Sequence, residues 1–282
     1  MRVAASLPIF LIDLRHRFLV GHLMRSLVRA DFRVSRIGIR SVLVIAAIFC
    51  SPVPAAAIVG GAPATDATLA RSVVTIVGSR GNFCSGALIA PDLVLSAAHC
   101  VSPDATYKIV SYDDKRQPKL LDVRRVALHP RFNAQGILAH RASADVALLQ
   151  LAQPMSAKAP APLGAPNEPI VAGTSFIVIG IGVTRHGDGK SGGTARTALL
   201  VATGRPGNLQ IRLIDPATNN VREGLGACTG DSGAPVYREI GSWSTGPALS
   251  DGCGGLTGVT PLTRYRAWIV EQARKMGAPL SP

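Results

Sequence analysis

From residue 58 onward the apolar positions come in short bursts. Segments 72–77, 86–89, 93–96, 107–111, 120–127 and 146–151 are rich in Val, Ile and Leu, and Gly, Pro, Asn and Asp separate them. Bursts of that length, divided by turn residues, predict strands of an all-β sandwich or barrel. Residues 157–169 are rich in Pro and Ala and show neither a helical nor a strand period, so they read as a connector between two halves. Further strands are predicted at 175–179, 198–202, 209–214, 234–237 and 258–262. The last segment, 265–276, sets Trp268, Ile269 and Val270 among charged residues and predicts a short amphipathic C-terminal helix. The Gly-rich loop 187–193 has no strand–loop–helix frame around it and is not a phosphate loop.

The first 57 residues follow another pattern. An apolar run at 41–50 is preceded by Arg33, Arg36 and Arg40 and followed by small residues ending Ala55-Ala56-Ala57. Basic, apolar, then small is the order of a secretory signal peptide. The run is short for a transmembrane helix. The bland alternative is an uncleaved anchor that also uses the apolar stretch at 7–14. Met24 is a candidate start, which would shorten the basic region. Phe49 is too bulky for the position before a lipoprotein cysteine, so Cys50 is expected to leave with the signal.

Composition narrows the class. The chain has 282 residues, is 47% hydrophobic and only 17% charged, and carries 29 Gly and 20 Pro. That suits a β-rich fold with many turns and a large core. The 30 basic and 17 acidic residues give a formal net charge of +13, but eight Arg and two Asp fall in residues 1–57, leaving +7 for the remainder. A mildly basic domain is compatible with acidic partners. No Lys/Arg cluster interleaved with aromatics is present, so nucleic acid is not an expected partner.

Without Cys50 four cysteines remain, at 84, 100, 228 and 253. An even number in an exported chain reads as disulfides. Spacing leaves three connectivities open, of which Cys84–Cys100 with Cys228–Cys253 is the most local. A zinc site is disfavoured, because no Cys-x-x-Cys pair or adjacent His pair occurs.

The stretch Ala227-Cys228-Thr229-Gly230-Asp231-Ser232-Gly233-Ala234-Pro235 is where the chemistry is expected. Flanking glycines permit a tight turn that exposes a hydroxyl and aims backbone N–H groups at one point. Gly, Asp and Ser are also ordinary turn residues, so a base and an orienting carboxylate must be found elsewhere. Four histidines follow Ile58: His99, His129, His140 and His186. His99 directly follows an apolar strand and adjoins Cys100. His129 precedes Pro130 and His186 sits in the Gly-rich loop, and both are expected to face solvent. Asp145 opens the apolar run Val146-Ala147-Leu148-Leu149 and is expected in the interior, where a carboxylate needs a partner. An imidazole N–H would serve, fixing the tautomer that leaves the other ring nitrogen free as a base. Each residue alone is more often a core histidine or a turn aspartate.

Taken in order, Ile58-Val59-Gly60-Gly61, Ala97-Ala98-His99-Cys100, Asp145 to Leu149 and Gly230-Asp231-Ser232-Gly233 resemble the trypsin/chymotrypsin-like serine protease family. The likeness extends to Phe83-Cys84-Ser85-Gly86-Ala87-Leu88-Ile89, to Gly252-Cys253-Gly254-Gly255, to Gly258-Val259 and to Trp268-Ile269. It implies two packed antiparallel six-stranded β-barrels, about 58–160 and about 170–265, with a short helix at about 265–276, the domain spanning 58–282 behind an export segment of 1–57. The resemblance makes His99, Asp145 and Ser232 the catalytic residues. It makes the N–H groups of Gly230 and Ser232 the oxyanion hole, and Ile58 and Asp231 an ion pair formed on activation. Cys84–Cys100 and Cys228–Cys253 become the disulfides. No cofactor and no metal is implied.

The specificity pocket would involve Gly226, Ser250 and Gly258. Trypsin-like members carry an aspartate where Gly226 stands, so an apolar P1 residue is expected. Asp251 offers an alternative that restores a basic preference. Ala248 and Leu249 stand where the family has Ser-Trp, and Ile181 where it has Trp between Gly180 and Gly182. Family zymogens carry a propeptide, whereas here Ala57 abuts Ile58. The expected partners are protein or peptide substrates, with room for a proteinaceous inhibitor. A monomer is expected, periplasmic or extracellular, without stable membrane association once the signal is removed. The competing class is a catalytically silent family member acting as a binding module.

Overall fold

A computed structural model describes residues 58–101, 104–112, 117–138, 141, 143–164, 170–204, 210–237 and 253–280. All belong to the second of the chain's two compact units, Pro54–Pro282. The export segment with Cys50, His140, residues 165–169 of the connector, and Ala248, Leu249, Ser250 and Asp251 lie outside the described residues.

The first half is a closed barrel. Its strands are β1 (Val73–Gly78), β2 (Phe83–Ala90), β3 (Leu93–Ser96), β4 (Tyr107–Tyr112), β5 (Pro118–Leu128) and β6 (Ala147–Leu151), in the order β1-β2-β3-β6-β5-β4. Closure comes from β1 pairing with β4, Ile76 opposite Ile109. Alternation along each strand sorts the apolar side chains. Val94 and Leu149 enter the barrel interior with Val74, Ile76, Leu88 and Ile109. Their neighbours Leu93, Leu95 and Leu148 point outward, onto Tyr265, Ile269 and Ala273. The run 146–151 is buried throughout, and apolar but for Gln150, because β6 is covered on both faces, by the barrel interior and by the C-terminal helix Arg266–Lys275; the Gln150 amide donates to the Met276 carbonyl. Truncating a fully buried side chain such as Leu149 to Ala costs about 2–5 kcal/mol.

The strand expected at 86–89 begins three residues earlier. Ser85 and Gly86 pair with Thr75 and Val74 of β1. The interior has no room for more than Gly86 there: a Cβ would lie 2.8 Å from Val94 Cγ1.

The second half is a five-stranded antiparallel sheet over the described residues. Its strands are β7 (Ser175–Gly180), β8 (Arg196–Ala202), β9 (Ile211–Ile214), β10 (Val236–Tyr237) and β11 (Thr257–Val259), in the order β10-β7-β8-β9-β11. Its core gathers Phe176, Val178, Leu200, Leu213, Val236 and Val259 around Ile58, which is 0% exposed. The strand expected to run to 262 stops at Val259, because Pro261 leads into a 3-10 turn, Leu262–Tyr265. The halves meet where Val73 and Phe83 pack on Ile177, Ile179 and Ile181. Ile181 in place of a tryptophan is thus a packing residue. A hydroxyl pair, Ser72 with Tyr237 at 2.7 Å, also spans this seam. Among the described residues no helix is long and apolar enough to cross a membrane.

Candidate active site

His99 lies in a 3-10 turn, Ala98–Cys100, that follows β3 without a break in the buried backbone. The turn is held by a disulfide from Cys100 to Cys84 of β2, and the second disulfide joins Cys228 to Cys253. Both pairings are the local ones. Cys84, His99 and Cys100 also form a compact group of potential metal donors. With the two sulfurs joined to each other, no thiolate is left to hold an ion.

Asp145 is 1% exposed and spends both carboxylate oxygens on one residue. Oδ1 accepts the backbone N–H of His99 at 2.8 Å, and Oδ2 faces the ring Nδ1 at 2.7 Å. A carboxylate oxygen only accepts, so the ring proton sits on Nδ1 and Nε2 is left with its lone pair. The His99 side chain remains 23% exposed, so that nitrogen is reachable from outside.

Ser232 follows β9 and the Cys228 bridge in a turn whose glycines take left-handed backbone angles, Gly230 at φ +94° and Gly233 at +80°. Gly233 has no room for a side chain, since a Cβ would stand 2.1 Å from Ser96 Oγ and 2.3 Å from the Ser85 carbonyl. The Ser232 carbonyl accepts the Ser85 N–H at 2.8 Å, so the turn is tied to β2 of the other half. Ser232 itself is half-buried.

Asp231 points the other way, into the protein, and is 1% exposed. Its Oδ1 accepts the Gly182 N–H at 2.7 Å and its Oδ2 the Cys228 N–H at 2.9 Å. Burial pushes the carboxyl up to about 7 against the pull of those two donors. Among the described residues no cation offsets that burial. Gly180 and Gly182 make its berth: a Cβ on either would fall 2.0 Å from Asp231 Oδ1 or 2.7 Å from its Cγ.

Gly226 is buried, pairs with Val59 across an isolated bridge, and faces Gly254, with 2.9 Å between its would-be Cβ and the Gly254 Cα. Neighbouring Ala227 donates its N–H to Thr257 Oγ1 at 3.1 Å. Gly258 opposes Arg212 in the β11–β9 pairing. The nearest acid in these contacts is Asp215, whose Oδ2 accepts the N–H of Leu225, the residue before Gly226, at 2.9 Å.

One expectation is corrected. His129 does not face solvent; it is 5% exposed. Its ring packs edge-on against Tyr265 at 5.0 Å and tilted against Trp268 at 4.9 Å, and Nδ1 accepts the Arg131 N–H at 3.2 Å. Burial, and secondarily the Arg131 charge, hold this imidazole below its usual range. The C-terminal aromatics that bury it are distant in sequence, so the adjacent Pro130 was a poor guide. His186 is exposed, as expected. Ser85 and Ser96 escaped notice in the sequence. Serines inside apolar strands signal buried hydrogen bonds, and both contact the Ser232 turn or its anchor.

A two-half β fold with a buried aspartate–histidine pair, beside a glycine-flanked serine turn, defines a class of serine hydrolases. The family model named Trypsin matches residues 58–269, and the chain belongs to that family. Kallikrein-15 of Saguinus oedipus is 30% identical, the match covering 70% of this chain and 84% of the relative. Chymotrypsin-like elastase family member 1 of Homo sapiens is 28% identical, with 68% and 80% covered. Snake venom serine protease rhinocerase 4 of Bitis rhinoceros is 27% identical, with 71% and 81% covered. Among solved structures, a mutant of human heparin binding protein superposes with a TM-score of 0.60 at 25% identity, covering 75% of this chain and 94% of that one.

Proposed function

We infer that residues 58–282 act as an exported serine endopeptidase. The observation that carries this reading is the Asp145 carboxylate, buried and engaged by both its oxygens on His99 at 2.8 and 2.7 Å. A buried acid that fixes one imidazole tautomer beside an accessible serine is what a weak hydroxyl nucleophile needs. His99 Nε2 takes the proton from Ser232 Oγ as the oxygen attacks the peptide carbonyl. The negative oxygen that develops is received by the N–H groups of Gly230 and Ser232. His99 then hands its proton to the departing amine, leaving an acyl group on Ser232. Water, deprotonated by His99, releases it.

Maturation follows from Asp231. Cleavage before Ile58, which is fully buried, would create the α-ammonium with which the Asp231 carboxyl, held by two backbone donors, would pair. The resulting ion pair would lock the turn that carries Gly230 and Ser232. With Ala57 next to Ile58, signal peptidase itself can supply this cut. Two disulfides favour an oxidising compartment, periplasm or medium. Gly226 brings no negative charge to the pocket, so the preferred P1 residue is apolar.

Cleavage of a diverse peptide mixture by the protein starting at Ile58, with Ser232→Ala as the blank, tests these points. Cuts after apolar residues that vanish in the blank are expected. Dominant cuts after Arg or Lys would instead favour Asp251 as a specificity residue. Absence of cuts would favour a silent binding module, a reading to which the likeness with heparin binding protein gives some weight.

A further inference from the structure

We propose that Ser85 is a positioning residue for the oxyanion hole, acting through Gly230. The inference rests on the endopeptidase reading and deepens it. Ser85 belongs to β2 of the closed barrel and is 0% exposed, yet its polar atoms serve the opposite half. Its N–H donates to the Ser232 carbonyl at 2.8 Å. Its Oγ donates to the Gly230 carbonyl at 2.9 Å and accepts the Ile181 N–H at 3.4 Å. Its own carbonyl accepts Ser96 Oγ at 2.8 Å. One serine thus touches both residues whose N–H groups would bind the oxyanion.

The geometry says what the hydroxyl does. The peptide between Gly230 and Asp231 is held at both ends, its oxygen by Ser85 Oγ and its N–H by the Cys228 carbonyl at 3.0 Å. With that plane fixed, the Gly230 N–H is free to turn only about its own Cα bonds. The Phe83 ring packs against this residue, 2.5 Å from where a Gly230 Cβ would stand, so only glycine fits here. Glycine at φ +94° has no intrinsic preference that would keep it there. Removing the Ser85 hydroxyl leaves a buried carbonyl without its donor, and the peptide gains reason to turn toward another partner.

The test compares Ser85→Ala with wild type, both starting at Ile58, on one peptide substrate. Binding of a peptide aldehyde, whose adduct places an oxyanion in the hole, is compared with binding of the matching peptide amide. Roughly a tenfold loss in kcat is expected with KM within twofold, since an indirect contact should cost less than losing an oxyanion donor outright. Aldehyde affinity should fall by the same factor and amide affinity should not move. Unchanged kcat and aldehyde affinity, or a loss confined to KM, overturns the proposal. Should Ser85→Ala not fold, Ser85→Cys keeps a weak donor of similar size. It should lose a few-fold in kcat alone, and wild-type kcat in that variant overturns the proposal. A wild type that neither cleaves nor binds the aldehyde fails the endopeptidase reading itself, a result distinct from an active wild type matched by its variants.

Discussion

Asp231 and Gly182 meet at 2.7 Å, carboxylate oxygen to backbone N–H, in a berth that exists only because residues 180 and 182 have no side chains. The acid and the glycines are one device. The carboxyl is admitted to the interior because two chain segments come within reach, and they come that close because nothing projects from them.

Gly180→Ala is therefore expected to be more damaging than its exposure suggests. Its Cβ would stand 2.0 Å from Asp231 Oδ1, and a buried carboxyl has no rotamer that yields without losing its donors. We expect a loss of at least about 2 kcal/mol, in the range of overpacked cores, read as a lower urea midpoint. An unchanged midpoint would mean that the berth is looser than drawn.

The same carboxyl makes a pH signature. In the intact chain its native value is raised from 3.8 to about 7, while the unfolded chain titrates near 3.8. The native state thus holds the proton more tightly. The stability this group contributes is complete below about pH 4 and is lost as pH rises through 7. Once Ile58 carries a free ammonium, the pairing favours the ionised form and that loss should disappear. Urea midpoints from pH 4 to 8 for Ser232→Ala protein, with residue 57 attached and without it, should diverge toward high pH. Parallel curves would remove Asp231 from the activation step.

His129 contributes with the opposite sign. Its native value is lowered, chiefly by burial, so its contribution is complete above the unfolded value of 6.5 and is lost as pH falls below that. The groups around it are Arg131, Tyr265 and Trp268, and none of them compensates an imidazolium. His129→Gln should lower stability at pH 8 but flatten its decline toward pH 5. An equally steep decline in the variant would assign acid sensitivity elsewhere.

Asp145→Asn should leave the fold intact and remove activity by roughly three to four orders of magnitude, because an amide can present N–H to Nδ1 and reverse the tautomer. The His99 N–H retains an acceptor if the amide oxygen takes the Oδ1 place. A kcat within tenfold of wild type would show that His99 does not depend on Asp145 for its orientation.

Much of this molecule is legible from the chain alone, and the exceptions have physical causes. Strands bounded by turn residues declare themselves through alternation, and Val94 beside Leu95 illustrates the rule. The His99–Asp145 pair is readable because a carboxylate heading an apolar run must find a donor. The start of β2 at Phe83, before the expected 86, is hidden because Ser85, a common turn residue, stands inside the strand. His129 misleads because what buries it lies more than a hundred residues further on, in the packing of the terminal helix. Asp231 is legible as half of an ion pair expected on activation, but its berth is not, since the glycines that shape it, Gly180 at the end of β7 and Gly182 just after it, lie far from it in sequence.

The Ser85 N–H to Ser232 carbonyl bond carries a further consequence. The backbone of the proposed nucleophile is moored to a strand of the opposite half, and the proposed base, His99, stands on that half as well. Competence is then a property of the docked pair and not of either part. A backbone nick in the connecting segment need not silence such a molecule, whereas a slight parting of the halves would silence it with every covalent bond intact.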